Sequence, residues 1–128
     1  MNDAIRRYGA VEAGGTKFIC AVGDHDGGIL DETRMDTRDP VTTLTEVCRY
    51  FDAASHKVGM LSSLGVGAFG PLDLNTKSAN YGHITSTPKP GWQNIDLAGI
   101  LARGIRDDDP LFLTIRGWIA TDRIDNAA

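Results

Sequence analysis

The chain has 128 residues, of which 41% are hydrophobic and 23% are charged, and it carries a formal net charge of −4. This acidic balance argues against the broad basic surface of a nucleic-acid-binding protein. No apolar run approaches the roughly 18 residues that a membrane-spanning helix needs. We therefore expect a cytoplasmic protein with no nucleic-acid or membrane partner, and a chain of this length can bury one hydrophobic core.

The first forty residues predict three consecutive strands connected by glycine-containing turns. The strands cover Tyr8 to Ala13, Lys17 to Gly23 and Ile29 to Thr37, and the short connections between them favour an antiparallel meander. The connection Asp24-His25-Asp26-Gly27-Gly28 offers oxygen ligands but lacks the spacing and the closing glutamate of an EF-hand calcium loop. We therefore interpret it as a hairpin turn.

The first turn of this meander, Gly14-Gly15-Thr16-Lys17, has the residue types of a phosphate-binding turn. Its glycines let backbone N–H groups face a ligand, Thr16 can donate a hydrogen bond, and Lys17 can pair with phosphate. Glu12, at the end of the preceding strand, can hold a hydrated Mg²⁺. The alternative is an ordinary hairpin turn, for which Gly-Gly between apolar runs is also typical. A Walker A loop is excluded, because the lysine follows the threonine and the turn leads into a strand.

A helix, a strand and a shorter helix are predicted next. Asp39 is the expected N-cap and Pro40 the first residue of a helix with apolar residues at helical spacing. The pattern from Val58 to Phe69 predicts a buried strand. Either Asn94 or Asp96 is expected to cap the second helix.

The two cysteines do not have the spacing of a metal site. Cys20 falls in a strand pattern and Cys48 in a helix pattern, with neither a C-x-x-C pair nor a neighbouring histidine. Zinc ligands normally occur in such closely spaced sets. We interpret both side chains as buried thiols and predict no zinc site.

Two later segments have the composition of a sugar site. Gly70 follows a predicted strand and has no side chain to block a ligand, while Asp73 and Asn75 can accept hydrogen bonds from hydroxyl groups. The alternative is a simple turn. The segment from Thr85 to Trp92 is rich in hydroxyls, is stiffened by two prolines and ends in an indole ring that can pack against a sugar. Equally, Trp92 can anchor this loop to the core.

Three blocks of the sequence together resemble one protein family. Glu12 to Lys17, Gly65 to Asp73 and Tyr81 to Trp92, in this order, resemble the bacterial fructokinases of the ROK sugar-kinase family. The resemblance runs from about Tyr8 to Leu101. It implies an α/β fold, namely an actin-like ATPase (ribonuclease H-like) lobe whose mixed sheet has an antiparallel N-terminal meander and flanking helices.

The resemblance also implies an activity and a set of site residues. The reaction is direct transfer of the γ-phosphate of ATP to fructose, giving fructose 6-phosphate, with ATP and Mg²⁺ as the cofactors. His83 departs from the aromatic residue expected at its position in the family. The implied contacts fall into three groups: phosphate binding by Gly14, Gly15, Thr16 and Lys17, magnesium association by Glu12, and sugar binding by Gly70, Thr87 and Trp92.

The resemblance divides the chain into residues 1–101, the kinase lobe, and residues 102–128, a divergent tail that is either frameshifted or poorly ordered. The catalytic aspartate and the zinc-holding His/Cys cluster of the family are not clearly present, and Asp122 and Asp125 only partly match the catalytic segment. We therefore expect a truncated N-terminal lobe with little activity alone. Its partners would be a sugar, ATP and either a second copy or a missing second lobe. The alternative is a non-catalytic sugar- or nucleotide-binding module that pairs with another chain.

Overall fold

The structure is a computed structural model that describes residues 6–109 and 111–118. Its five strands form one sheet with the spatial order β3-β2-β1-β4-β5. In chain order the elements are β1 (Arg7–Ala13), β2 (Lys17–Asp24), β3 (Ile29–Asp36), α1 (Pro40–Val58), β4 (Ser63–Phe69), α2 (Leu97–Ile105) and β5 (Leu113–Trp118).

The sheet is mixed, as predicted. β2 pairs antiparallel with both β1 and β3, whereas β4 runs parallel to both β1 and β5. Parallel neighbours end at the same edge of a sheet, so β1 and β4 both end where Ala13 lies beside Ala68. We call this the carboxyl edge, and β3 also ends there because its Asp36 pairs with Lys17 at the start of β2.

One face of the sheet is buried against the two helices. The alternation of buried and exposed residues along β1, β2 and β4 places one side chain in two in the core, as period-2 strands require. The helices contribute residues at helical spacing to the same cluster. Its fully buried large side chains include Phe18, Val22, Val47, Phe51, Leu64, Leu97, Leu101 and Ile115.

Both helices begin at the predicted caps. The Asp39 carboxylate accepts a hydrogen bond of 3.0 Å from the Thr42 N–H, and Pro40 opens α1. This bond to the backbone lowers the pKa of Asp39. Of the two candidates for α2, Asp96 is the cap, and its carboxylate accepts from the Gly99 N–H at 2.9 Å.

The predicted strand from Val58 to Phe69 is wrong in its first half. Val58 is the last residue of α1, and β4 begins only at Ser63. The helical spacing of the buried residues Phe51 and Ala54 continues to the end of α1. Gly59, with φ of 109°, then ends the helix in a backbone conformation that favours glycine.

The cysteines differ in burial. Cys20 on β2 is fully buried, as predicted, and desolvation raises its pKa to about 12. Cys48 on α1 is only partly buried, so the prediction of two buried thiols holds for one of them. Burial also raises the pKa of Cys48.

Part of the divergent tail belongs to the same sheet. β5 lies parallel to β4, and Phe112 and Ile115 are each 1% exposed within the core. The predicted division after Leu101 therefore falls inside α2. Asp122 and Asp125, the partial matches to a catalytic segment, lie outside the described residues. Among the residues that the structure describes, no helix has the length and apolar character needed to cross a bilayer.

Candidate functional site

The carboxyl edge brings together the glycine turn and the first sugar segment predicted from the sequence. The turn Gly14–Lys17 follows β1, and Gly70 and Pro71 follow β4, the parallel neighbour of β1. α1 starts at the same edge, because β3 ends there three residues before the N-cap. In α/β sheets with parallel strands, ligands commonly bind at this edge.

Three hydrogen bonds fix the shape of the Gly14–Lys17 turn. The Gly14 N–H donates to the Lys17 carbonyl at 2.9 Å, which closes the turn. From the end of β3, the Thr37 N–H donates to the Thr16 carbonyl at 2.8 Å. The Thr37 hydroxyl donates to the Gly14 carbonyl at 2.7 Å. The turn is therefore braced by a residue that lies outside the motif.

The outer side of the turn is open. A Cβ atom placed on Gly15 would meet no atom within 4 Å, and Thr16 and Lys17 are exposed. Within the described part of the chain, the N–H groups of Gly15 and Thr16 donate to no protein acceptor. Successive free N–H groups in a turn form a site suited to an anion.

Lys17 adds a positive charge that is already paired. Its Nζ atom lies 2.6 Å from Oδ1 of Asp36, and the two side chains are 48% and 71% exposed. The hydrogen bond from Lys17 lowers the pKa of Asp36. Exposed ion pairs contribute little net free energy, so Lys17 can exchange this partner for a phosphate at small cost.

Glu12 is exposed on the sheet face that the helices leave uncovered. In the register of the sheet it lies between Ile19 of β2 and Gly67 of β4. Across the ranges 6–109 and 111–118, no three His, Cys, Asp or Glu side chains form a group that could hold a metal ion. Glu12 therefore offers one carboxylate beside the turn, in addition to that of Asp36, which pairs with Lys17.

The two sugar segments are joined to each other. The backbone N–H and the hydroxyl of Thr85 both donate to the Pro71 carbonyl, at 2.8 and 3.1 Å. Gly70 itself is half-buried. Thr87 is only 4% exposed, and its hydroxyl oxygen accepts a hydrogen bond from the Lys89 N–H. Of these residues, Gly70 lies nearest in sequence to the carboxyl edge.

Trp92 lies at the centre of the contacts behind the edge. Its side chain is fully buried, and the indole N–H donates to the Arg38 carbonyl at 2.8 Å. Its ring lies 5.7 Å from that of Phe18 and 5.8 Å from that of Phe69. This geometry supports the anchoring interpretation, because no face of the ring is open to a ligand. A direct contact of Trp92 with a sugar stays a prediction.

The remaining polar candidates mainly organise the loop between β4 and α2. Asp73 accepts a hydrogen bond of 2.6 Å from the Ser78 hydroxyl, which lowers its pKa. The Asn75 side chain accepts from the Lys77 N–H at 3.0 Å. Nδ1 of His83 lies 2.8 Å from the Asn80 carbonyl. These side chains are already used by local bonds.

Sequence reasoning missed Asp36, Thr37 and Arg38. Asp36 pairs with Lys17, Thr37 bonds to two carbonyls of the glycine turn, and the Arg38 carbonyl receives the Trp92 indole N–H. The available signal was the predicted meander, since its third strand had to end beside the turn between the first two. A hydroxyl at that strand end is a candidate partner for the turn.

Comparisons with known proteins identify the family of the chain. Residues 8–106 match the ROK family. Fructokinase of Lactococcus lactis subsp. cremoris is 43% identical over 107 residues, covering 84% of this chain and 34% of the relative. Fructokinase of Streptococcus mutans is 41% identical over 99 residues, covering 77% of this chain and 33% of the relative. The chain thus spans about a third of the length of these curated relatives.

The fold agrees with solved structures of the same family. A ROK family glucokinase from Streptomyces griseus, solved in complex with glucose and AMPPNP, superposes with a TM-score of 0.62 at 22% identity. The match covers 88% of this chain and 33% of the glucokinase. The predicted actin-like fold is confirmed, and with most of its described residues matched, the chain belongs to the ROK family.

Proposed function

We propose that this chain forms part of an ATP-dependent sugar kinase, which transfers the γ-phosphate of ATP to fructose and gives fructose 6-phosphate. Two relatives at 43% and 41% identity are named fructokinase. The observation that carries the proposal is the convergence of the Gly14–Lys17 turn and Gly70 at the carboxyl edge. A phosphate donor and a sugar would meet there.

The glycine turn would hold the phosphates of ATP. Phosphoryl transfer depends mainly on positioning and on neutralising charge, with little covalent participation by the protein. The Gly15 and Thr16 amides, which donate to no acceptor among the described residues, and the ammonium group of Lys17 are suited to this task. Gly14 allows the tight closure of the turn. Their roles rest on this geometry and on the family match.

Mg²⁺ would bind through Glu12 together with the phosphates. Mg²⁺ usually keeps several waters and binds one or two carboxylates plus substrate phosphate oxygens, so the carboxylate of Glu12 is enough for such a site. Glu12 is exposed and lies on the strand that leads into the turn. Bound Mg²⁺ offsets the negative charge of the phosphates.

Gly70, Thr87 and Trp92 would border the sugar in different ways. Gly70 is half-buried and has no side chain to block a ligand beside the edge, whereas the buried Thr87 and Trp92 would shape the site from behind. A cytoplasmic location accompanies this proposal, since ATP is available there and both cysteines are free thiols in the structure.

Calorimetric titration of the chain with Mg-ATP and, separately, with fructose tests the proposal. We expect both ligands to bind, with glucose as the comparison sugar and inorganic sulfate as a control for unspecific anion binding. An assay for ADP should show little turnover, because the chain spans about a third of its fructokinase relatives. If the folded chain binds neither Mg-ATP nor fructose, the proposal is contradicted.

The partial span also supports a second candidate, a non-catalytic binding module that pairs with another chain or with a second copy. Binding of fructose or ATP with no formation of ADP, even at high protein concentration, would favour this function. Light scattering during gel filtration measures the assembly state. A kinase reaction by the isolated chain would exclude the second candidate.

A further inference from the structure

Thr37 uses both of its hydrogen-bond donors on the glycine turn. Its backbone N–H reaches the Thr16 carbonyl at 2.8 Å, and its hydroxyl reaches the Gly14 carbonyl at 2.7 Å. The side chain is 9% exposed, so water does not readily replace the hydroxyl bond. A buried polar group is normally paired, because leaving it unpaired is costly.

The bond to the Gly14 carbonyl has a consequence for the next residue. In a planar trans peptide the C=O of one residue and the N–H of the following residue point in opposite directions. A Gly14 carbonyl held toward Thr37 therefore turns the Gly15 N–H away from Thr37, and within the described residues this N–H donates to no protein acceptor. The space around Gly15 is open, with no atom within 4 Å of a Cβ placed there.

We propose that Thr37 is a positioning residue of the phosphate turn, and that its hydroxyl fixes the direction of the Gly15 N–H toward the ligand. The identity of the ligand as phosphate rests on the proposed function. The orientation of the Gly15 amide does not rest on the proposed function, because it follows from two hydrogen bonds within the protein itself. Thr37 would touch neither ATP nor the sugar.

The test uses the full chain and three variants. Thr37→Val removes the hydroxyl at nearly constant volume, and Thr37→Ser restores it. Thr33→Val is the matched control, since Thr33 lies on β3, which ends one residue before Thr37, and its hydroxyl makes no hydrogen bond within the described residues. If Thr37→Val does not fold, Thr37→Ala removes the same group without adding a methyl. The readouts are the NMR order parameter of the Gly15 amide without ligand and the affinity for Mg-ATP.

We expect Thr37→Val to loosen the Gly15 amide and to weaken Mg-ATP binding about five- to tenfold, the loss of one hydrogen bond. Thr37→Ser should restore both values, and Thr33→Val should leave both unchanged. An unchanged order parameter at Gly15 in Thr37→Val would overturn the proposal. If wild type binds no Mg-ATP but Thr37→Val still loosens Gly15, positioning is supported and the proposed function fails.

Discussion

The glycine turn and the loop from Thr85 to Trp92 were both predicted to contact a ligand, but they differ in how far their side chains are exposed. Thr16 and Lys17 of the turn are exposed, and in the described part of the chain the Gly15 and Thr16 amides donate to no protein acceptor. In the loop, by contrast, Thr87 is 4% exposed and Trp92 is fully buried. A glycine turn at a strand end has a limited set of shapes, whereas an aromatic ring in a proline-rich loop can serve the core equally well. We therefore expect direct ligand contact at the turn, and support of the turn by the loop.

The largest expected effect comes from Trp92→Ala. Truncating a buried tryptophan costs about 3–5 kcal/mol of unfolding free energy, and this ring contacts Phe18 and Phe69 and bonds to Arg38. Urea denaturation followed by circular dichroism measures the loss. Trp92→Phe keeps most of the ring and should cost less. If Trp92→Ala keeps full stability and loses only fructose binding, the anchoring interpretation is wrong.

Lys17→Ala tests the expected ligand contact at the glycine turn. The variant removes a charge-assisted contact to phosphate, worth about 1.5–3 kcal/mol, so Mg-ATP affinity should fall about 10- to 100-fold. Stability should change little, because Lys17 is exposed and its ion pair within residues 6–109 and 111–118 is with the exposed Asp36. Calorimetric titration gives the affinity, and the control is Lys77→Ala, at an exposed lysine in the loop between β4 and α2. Equal ATP affinity in Lys17→Ala and wild type would remove Lys17 from the site.

The two glycines of the turn should respond oppositely to alanine. A Cβ on Gly14 would lie 2.8 Å from the Lys17 carbonyl oxygen, whereas one on Gly15 meets open space. We expect Gly14→Ala to cost about 1–3 kcal/mol through overpacking, and Gly15→Ala to stay within about 0.5 kcal/mol of wild type. Gly15→Ala should instead weaken Mg-ATP binding. Thermal unfolding and titration of both variants test this contrast, and equal stability loss in the two would contradict it.

The sequence predicted those features that local chemistry determines. The meander, the Asp39 cap and the short helix after Asp96 follow from strand alternation, turn residues and capping side chains, and all are present. The strand predicted from Val58 began too early, because an apolar run fits a helix end as well as a strand.

What the sequence did not reveal depends on contacts between distant residues. Thr37 braces Gly14 across 23 positions, and Trp92 bonds to Arg38 across 54. No local pattern encodes such pairs. They could be found only by placing the third strand beside the first turn and the loop behind it.

The smallest expected effect is a change in the titration of Asp36. Its pKa is lowered in the folded protein, chiefly by the hydrogen bond from Lys17. A carboxylate with a lowered pKa adds stability above its unfolded pKa, and this contribution is lost as the pH falls through the folded pKa. In Lys17→Ala the pKa of Asp36 should therefore rise toward its ordinary value, and the loss of folding stability that Asp36 causes at acid pH should disappear.

NMR titration of the Asp36 carboxyl carbon measures the pKa shift. Asp73 is the internal reference, because its pKa is lowered by Ser78 instead. A shift shared by both carboxyls would point to a general change in the fold, whereas a shift of Asp36 alone would show that Lys17 is paired with Asp36 in solution.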